Sequence, residues 1–311
     1  MDGLAELIAR GAALLRHGGV VAFPTETVYG LGANALDPAA IGRIYEIKQR
    51  PRTSPLIVHV SSIEMARILV SVWPDKAETL ARQFWPGPLT LVLPKSPQVP
   101  KALTAGLETV GLRMPAHPVA LALIEQAGVP IAAPSANRFT QLSPTDASHV
   151  ERSLGAAVDL IIPGGPSQIG IESTVLSLAQ ELPLLLRPGM ITQTQIEDAI
   201  GPIGILSEAT GAHPSPGMQE RHYSPRTPLY LVDSLKALPK VGRGVYLFLT
   251  EAGSAAVAVP MPQNPGDYAR ILYQTLHRYD LEAWDWIAVE RPVGGADWVG
   301  IVDRLSRASI R

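Results

Sequence analysis

Cysteine is absent from the 311 residues of this chain, which excludes disulfides, thiolate metal sites and a cysteine nucleophile. Two phosphate-binding signatures are missing as well. Neither G-x-x-x-x-G-K-[ST] nor a G-x-G-x-x-G turn after a strand occurs, so any nucleotide must be held in a less common way. A formal net charge of −2 gives no general attraction to nucleic acid or to a membrane surface. No apolar run is long enough to cross a bilayer, and Leu4 to Leu15 lacks the continuous apolar core of a signal peptide. The expectation is a soluble, cytoplasmic enzyme.

Proline and glycine are plentiful, at 29 and 27 residues, and they sit between apolar segments rather than in tracts. That pattern predicts many short elements joined by tight turns. Leu4, Leu7, Ile8, Leu14 and Leu15 recur at helical spacing, and Gly18-Gly19 ends the helix. Asp37-Pro38 caps a second helix running to about Lys48, residues 118–127 form a third, and Thr192 with Gln195 opens a fourth. Strands are expected over residues 20–23, 55–60, 89–93, 109–113, 129–133, 158–162, 173–178 and 183–187. Single helices among adjacent strands favour an α/β domain with a mixed sheet, spanning residues 1–206. Residues 207–227 have linker composition, yet they hold Arg221, His222 and Tyr223, which a plain spacer does not need. Residues 228–311 then read as a small α/β domain with strands at 229–232, 245–249 and 286–289 and helices at 264–279 and 298–307.

Two polar stretches stand out. Lys48-Gln49-Arg50-Pro51-Arg52 places three cations within five residues, a density that suits a polyphosphate. Pro134-Ser135-Ala136-Asn137 follows the apolar run 129–133 and suits the same ligand or its metal. Each has a plainer reading. The first could be a solvated helix end whose cations favour the negative end of the macrodipole, and the second a turn that satisfies its own backbone.

Seven segments occur in a particular order: 24–32 (PTETVYGLG), Lys48-x-Arg50-Pro51, 84–90 (FWPGPLT), Arg113-Met114-Pro115, Pro134-Ser135-Ala136-Asn137, Glu172-Ser173-Thr174-Val175 and Arg187-Pro188-Gly189. Together they resemble the threonylcarbamoyl-adenylate synthases, the YrdC-like family, across residues 4 to 226. Pro216-Gly217-Met218 followed by His222-Tyr223-Ser224-Pro225 resembles the long, two-domain form. The resemblance implies an open, twisted α/β sheet around a concave cavity, with a small Rossmann-like domain behind it. It also implies a reaction in which L-threonine, bicarbonate and ATP with Mg²⁺ give L-threonylcarbamoyl-adenylate and pyrophosphate. The product would pass to a tRNA threonylcarbamoyl-transferase complex, with no direct tRNA binding expected.

Carried over position by position, the resemblance reverses the plainer reading of the basic stretch. Lys48, Arg50, Ser135 and Asn137 become the catalytic set around the triphosphate, and Arg52 faces solvent. Thr109, Ala133 (through its backbone), Ser143, Arg187 and Tyr223 are implied further ATP contacts, and Mg²⁺ is carried mainly by the phosphates. Arg113 suits the threonine carboxylate, which a guanidinium grips with two parallel bonds. Thr25, His59, Ser173 and Thr174 could read its remaining groups, although a histidine between Val58 and Val60 is more often a core residue. Glu26 and Glu172 could hold arginines, and the 207–227 segment either closes as a lid or docks the small domain. The chain departs from the usual pattern at Phe139-Thr140, Ser177 and Ser54. Two other readings compete. One is an RNA-binding module of the same fold that uses a basic concave face. The other is a carbamoyl-transfer domain of the hydrogenase-maturation kind, whose acylphosphatase-like and zinc-finger regions this chain lacks.

Overall fold

The computed structural model describes residues 2–206, 222–253 and 255–310. Most of the expected linker, including Arg221, lies outside the described residues. In chain order the elements begin with α1 (Asp2–Arg16), β1 (Val21–Phe23), β2 (Gly30–Asn34), α2 (Pro38–Lys48) and β3 (Ile57–His59). Next come α3 (Ile63–Ile68), α4 (Asp75–Phe84), β4 (Leu89–Pro94), α5 (Lys101–Thr104), β5 (Thr109–Arg113), α6 (Pro118–Ala127) and β6 (Ile131–Ala132). They continue with α7 (Ala147–Ser153), β7 (Leu160–Ile161), β8 (Thr174–Ser177), β9 (Leu184–Arg187), α8 (Gln193–Ile200) and β10 (Gly204–Ile205). The remainder is β11 (Leu229–Val232), β12 (Gly244–Phe248), β13 (Val257–Pro260), α9 (Pro265–Asp280), β14 (Trp286–Glu290) and α10 (Val299–Ala308).

Strands β1 to β10 make one open mixed sheet in the order β10-β9-β8-β4-β5-β3-β6-β2-β1-β7. Four of its pairs are parallel (β1 with β7, β3 with β5, β4 with β8, β9 with β10) and the rest antiparallel, including three in a row from β3 through β6 and β2 to β1. The second sheet, β11-β14-β12-β13, is parallel throughout, as a Rossmann-like unit requires.

Local chemistry sets the element ends. Asp37 accepts a hydrogen bond from the Ala39 amide, Pro38 occupies the first turn of α2, and Gln49 ends the helix in the left-handed region (φ 54°). Thr192 and Gln195 form a reciprocal capping box at α8. Strand β2 was not expected, because Gly30-Leu31-Gly32-Ala33-Asn34 has the composition of a turn. The structure shows why glycine stands there. A Cβ at Gly32 would lie 2.7 Å from the Phe23 ring, so only a bare backbone can pair beside β1. The sequence reading also passed over α3, α4, α5, α7, β10 and β13.

The small unit docks by close backbone approach. A Cβ at Gly170 would meet the Ala269 carbonyl at 2.3 Å, and one at Gly300 would meet the Gly189 backbone at 2.9 Å. Its apolar core runs on into Val28, Leu142 and Ile171 of the large unit. That junction borders the polar cavity described next.

Candidate active site

One cavity collects the ends of several large-sheet elements. Thr25 and Thr27 come from the loop after β1, Ile57 and His59 from β3, Arg113 from the end of β5, and Ala133 to Ser135 from the loop after β6. Glu172 and Ser173 precede β8, Arg187 ends β9, and Arg50 follows α2. His222 and Tyr223 enter from the segment that leads to the small sheet. The space left is about 50 Å³, against roughly 300–1,000 Å³ for ordinary small-molecule pockets. His222 and Tyr223 are part of its wall, and the space as it stands is smaller than a nucleotide.

Positive charge dominates the walls. Lys48 is 1 % exposed and Arg50 7 %, whereas the Arg52 side chain is 73 % exposed beside Glu46. The left-handed Gln49 turns the chain so that both neighbours face inward. The Lys48 ammonium donates to the Ser135 carbonyl at 2.5 Å and the Asn137 carbonyl at 2.6 Å. Arg50 donates to the Ser54 hydroxyl and to the Pro55 carbonyl at 3.1 Å, and it lies over the Phe139 ring. Ser54 and Phe139, two of the unusual residues, therefore hold this arginine. Arg187 donates to the Ser173 carbonyl at 2.9 Å and the Ser173 hydroxyl at 3.2 Å.

Burial is the main cause of the shifted acidities. It pulls Arg50 down to about 10 and drives Lys48 well below its usual value, with the Arg50 charge adding to the effect. His59 is held neutral by burial and by Arg113, and its Nδ1 has no partner. Burial also keeps His222 neutral, reinforced by Arg50, Lys48 and Arg187. Cations depressed this way mark a cavity that would stabilise an anion.

Two carboxylates brace the arginines. Glu26 lies 2.7 Å from Arg113 at an angle unsuited to a hydrogen bond, which leaves both its oxygens without a donor. Glu172 receives Ser143 Oγ at 2.5 Å, Tyr273 Oη at 3.2 Å and Arg304 Nε at 2.8 Å. Burial alone would raise the Glu172 carboxyl, but Arg304 and Arg187 hold it below the usual range. Arg304 also donates to the Glu172 and Pro188 carbonyls and sits over the Tyr223 ring. Tyr273 and Arg304 belong to α9 and α10, so the small unit supports the cavity wall directly.

Residues 13–189 match the family model Sua5_yciO_yrdC, described as "Telomere recombination". Residues 191–309 match Sua5_C, described as "Threonylcarbamoyl-AMP synthase, C-terminal domain". The chain belongs to the Sua5/YciO/YrdC family. It is 44 % identical to the threonylcarbamoyl-AMP synthase of Bacillus subtilis, over 97 % of this chain and 92 % of that one. Its identity to the threonylcarbamoyl-AMP synthase of Pyrococcus abyssi is 41 %, over 96 % and 92 % of the two chains. The crystal structure of P. abyssi Sua5 complexed with L-threonine superposes with a TM-score of 0.90 at 40 % identity, covering 97 % of this chain and 94 % of that chain.

In this Sua5/YciO/YrdC chain, most of the expected site residues meet at the cavity: Thr25, Arg50, His59, Arg113, Ala133, Ser135, Ser173, Arg187 and Tyr223. Others stand apart. Thr109 lines a separate slot of about 10 Å³ over β3, β5, β4 and β8. The Thr174 hydroxyl is occupied, donating to the Ile191 carbonyl and accepting from its amide. Ser143 is buried against Glu172, and Lys48 reaches the loop backbone from behind the cavity. Asn137 Nδ2 is spent on the Arg138 and Gln141 carbonyls, as the turn reading expects, while Oδ1 is buried without a partner.

The basic face needed by an RNA-binding module is missing from residues 43 to 52. Lys48 and Arg50 point inward, and Arg43 and Arg52 are paired with Asp159 and Glu46. Tyr273 and Arg304 were missed by the sequence reading. Arg304 carried a signal: it falls on the apolar face of α10 beside Ile301, Leu305 and Ala308, where an unpaired arginine would not be tolerated.

Proposed function

We propose that this protein is an L-threonylcarbamoyladenylate synthase, joining L-threonine, bicarbonate and ATP with release of pyrophosphate. The observation that carries the reading is the convergence of three buried guanidiniums, Arg50, Arg113 and Arg187, on one cavity. The curated relatives named above bear the same activity in their names.

The reaction needs a carbamate oxygen of carboxylated threonine to attack the α-phosphorus of ATP while pyrophosphate leaves. Such chemistry rests on positioning and charge neutralisation, with no protein nucleophile required. Arg50 and Arg187 supply fixed positive charge for the phosphates, and Lys48 shapes the Ser135–Asn137 loop by holding its carbonyls. Arg113, balanced on one side by Glu26, binds the threonine carboxylate. Neutral His59 offers its free Nδ1 and Ser173 its hydroxyl at that end of the cavity, while the Thr25 hydroxyl, which donates to the Val28 carbonyl at 2.6 Å, fixes the loop that walls it.

Mg²⁺ on the triphosphate would neutralise phosphate charge, and the buried, unpartnered Asn137 Oδ1 fits an oxygen ligand for it. Tyr223 and His222 act as a plug that withdraws to admit ATP and closes over the adenylate, keeping water from a labile mixed anhydride. The product then serves a threonylcarbamoyl-transferase acting on tRNA, in the cytoplasm.

Pyrophosphate release should require threonine, bicarbonate and Mg·ATP together. Equal release without bicarbonate would count against the carbamate step. Serine should be the poorer substrate by roughly 1–3 kcal/mol, the worth of one methyl group in a fitted pocket.

A further inference from the structure

A second cavity, of about 200 Å³, opens where α7, the 138–142 loop and the C-terminal end of α9 meet. Its walls carry three guanidiniums, Arg138, Arg152 and Arg226, against one carboxylate, Asp280. Among the described residues neither Arg138 nor Arg152 forms an ion pair with a carboxylate, and Arg226 reaches Asp280 only at 3.5 Å. Asp280 divides its oxygens, accepting from the Thr227 amide at 2.8 Å on Oδ1 and from Arg226 at 3.5 Å on Oδ2. The cleft walls therefore carry more positive than negative charge, which suits an anion.

The floor of this cleft is built rather than incidental. Ser224 is 8 % exposed, lines the cleft, and its Oγ has no hydrogen-bond partner. Its amide donates to the Thr140 carbonyl at 2.8 Å, and Gln141 and Ser224 form a β-bridge. Thr140 and Tyr223 beside that bridge both hold left-handed backbone, at φ 68° and 61°, which is costly for a β-branched residue. Two stacked imidazoles, His149 and His277, form another wall, with ring centroids 3.9 Å apart. Burial pushes them down to about 3 and about 4, so they add no charge near neutrality, and His277 Nε2 is taken up by the Ser143 carbonyl at 3.0 Å. His149 accepts from the Thr145 amide at Nδ1, which puts its proton on Nε2 as a donor.

We propose that this outer cleft binds a phosphate-bearing anion, gripped by Arg138, Arg152 and Arg226 with Ser224 Oγ at its floor. Free polyphosphate and the phosphodiester backbone of RNA present the same chemistry. A bound anion would tie Arg226 and Ser224, next to the Tyr223 plug, to the loop that begins at Asn137. The cleft is distinct from the first cavity, with which it shares none of its lining residues.

The test is calorimetric titration of the full chain with pyrophosphate and, separately, with a short RNA hairpin. Wild type, Arg152→Ala/Arg226→Ala and Arg187→Ala proteins are compared, the last removing a cation of the first cavity away from the 138–142 loop, with circular dichroism to check the fold. Arg152 and Arg226 are exposed, so their truncation leaves the core intact. The expected result is a binding event that survives in Arg187→Ala and weakens about ten- to a hundredfold in the double variant, as lost charge-assisted contacts require. Pyrophosphate showing that event assigns the site to free polyphosphate, and the hairpin alone showing it assigns the site to RNA backbone. If neither probe shows binding sensitive to Arg152 and Arg226, the proposal is overturned.

Discussion

Lys48 and Arg50 lie two positions apart, a spacing that on a continuing helix sends side chains to different faces. Here the helix stops between them at a left-handed Gln49, and both cations turn into the protein. The sequence showed the charge density but not its direction, because a left-handed residue other than glycine or asparagine leaves little signal. Removing either cation should cost one or two charge-assisted contacts, so Lys48→Ala or Arg50→Ala should lower turnover about ten- to a hundredfold. Arg52→Ala, at the surface, should change turnover little, and steady-state kinetics of the three variants checks the contrast. Arg113→Ala should weaken threonine binding more than ATP binding. Calorimetry that finds threonine affinity unchanged would remove Arg113 from the substrate end of the cavity.

At the scale of elements, the segments with clear caps and apolar runs were legible: α2, α6, α8 and the strands that carry His59, Arg113 and Arg187. Elements whose residues are chosen by close packing were not, and β2 is the plainest instance, since its glycines answer to the Phe23 ring. The support that α9 and α10 give to Glu172 was equally hidden, because it pairs residues more than a hundred positions apart. That support makes a stability prediction. Arg304→Met leaves the buried Glu172 carboxylate without its main cation and should cost about 3–5 kcal/mol in urea denaturation. Glu172→Gln combined with Arg304→Met should recover part of the loss, since no unpaired charge then stays buried. Additive losses in the double variant would show that the two residues do not act as a pair.

For the whole molecule, the histidines make stability depend on pH in a definite direction. His59, His149, His222 and His277 all have their pKa lowered by burial, His149 to about 3 and His277 to about 4. The unfolded chain protonates them near 6.5 while the folded chain does not, so the unfolded state binds more protons as pH falls. Stability is therefore full above about pH 6.5 and is lost below it, by about 1.4 kcal/mol per pH unit for each histidine until its folded value is reached. Urea midpoints measured from pH 7.5 to 5 should fall steeply, and His149→Gln/His277→Gln should flatten the slope. A slope unchanged in that variant would mean the stacked pair is protonated in the folded protein.

The same assembly places a plug residue, a small unit and a cationic cavity in one continuous structure, and its proposed chemistry can be read directly. Incubation with L-threonine, ¹³C-bicarbonate and Mg·ATP, followed by rapid mass spectrometry, measures the product itself. The account predicts threonylcarbamoyl-adenylate that carries one heavy carbon, formed together with pyrophosphate. Pyrophosphate accompanied by threonyl-adenylate, with no label incorporated, would contradict it.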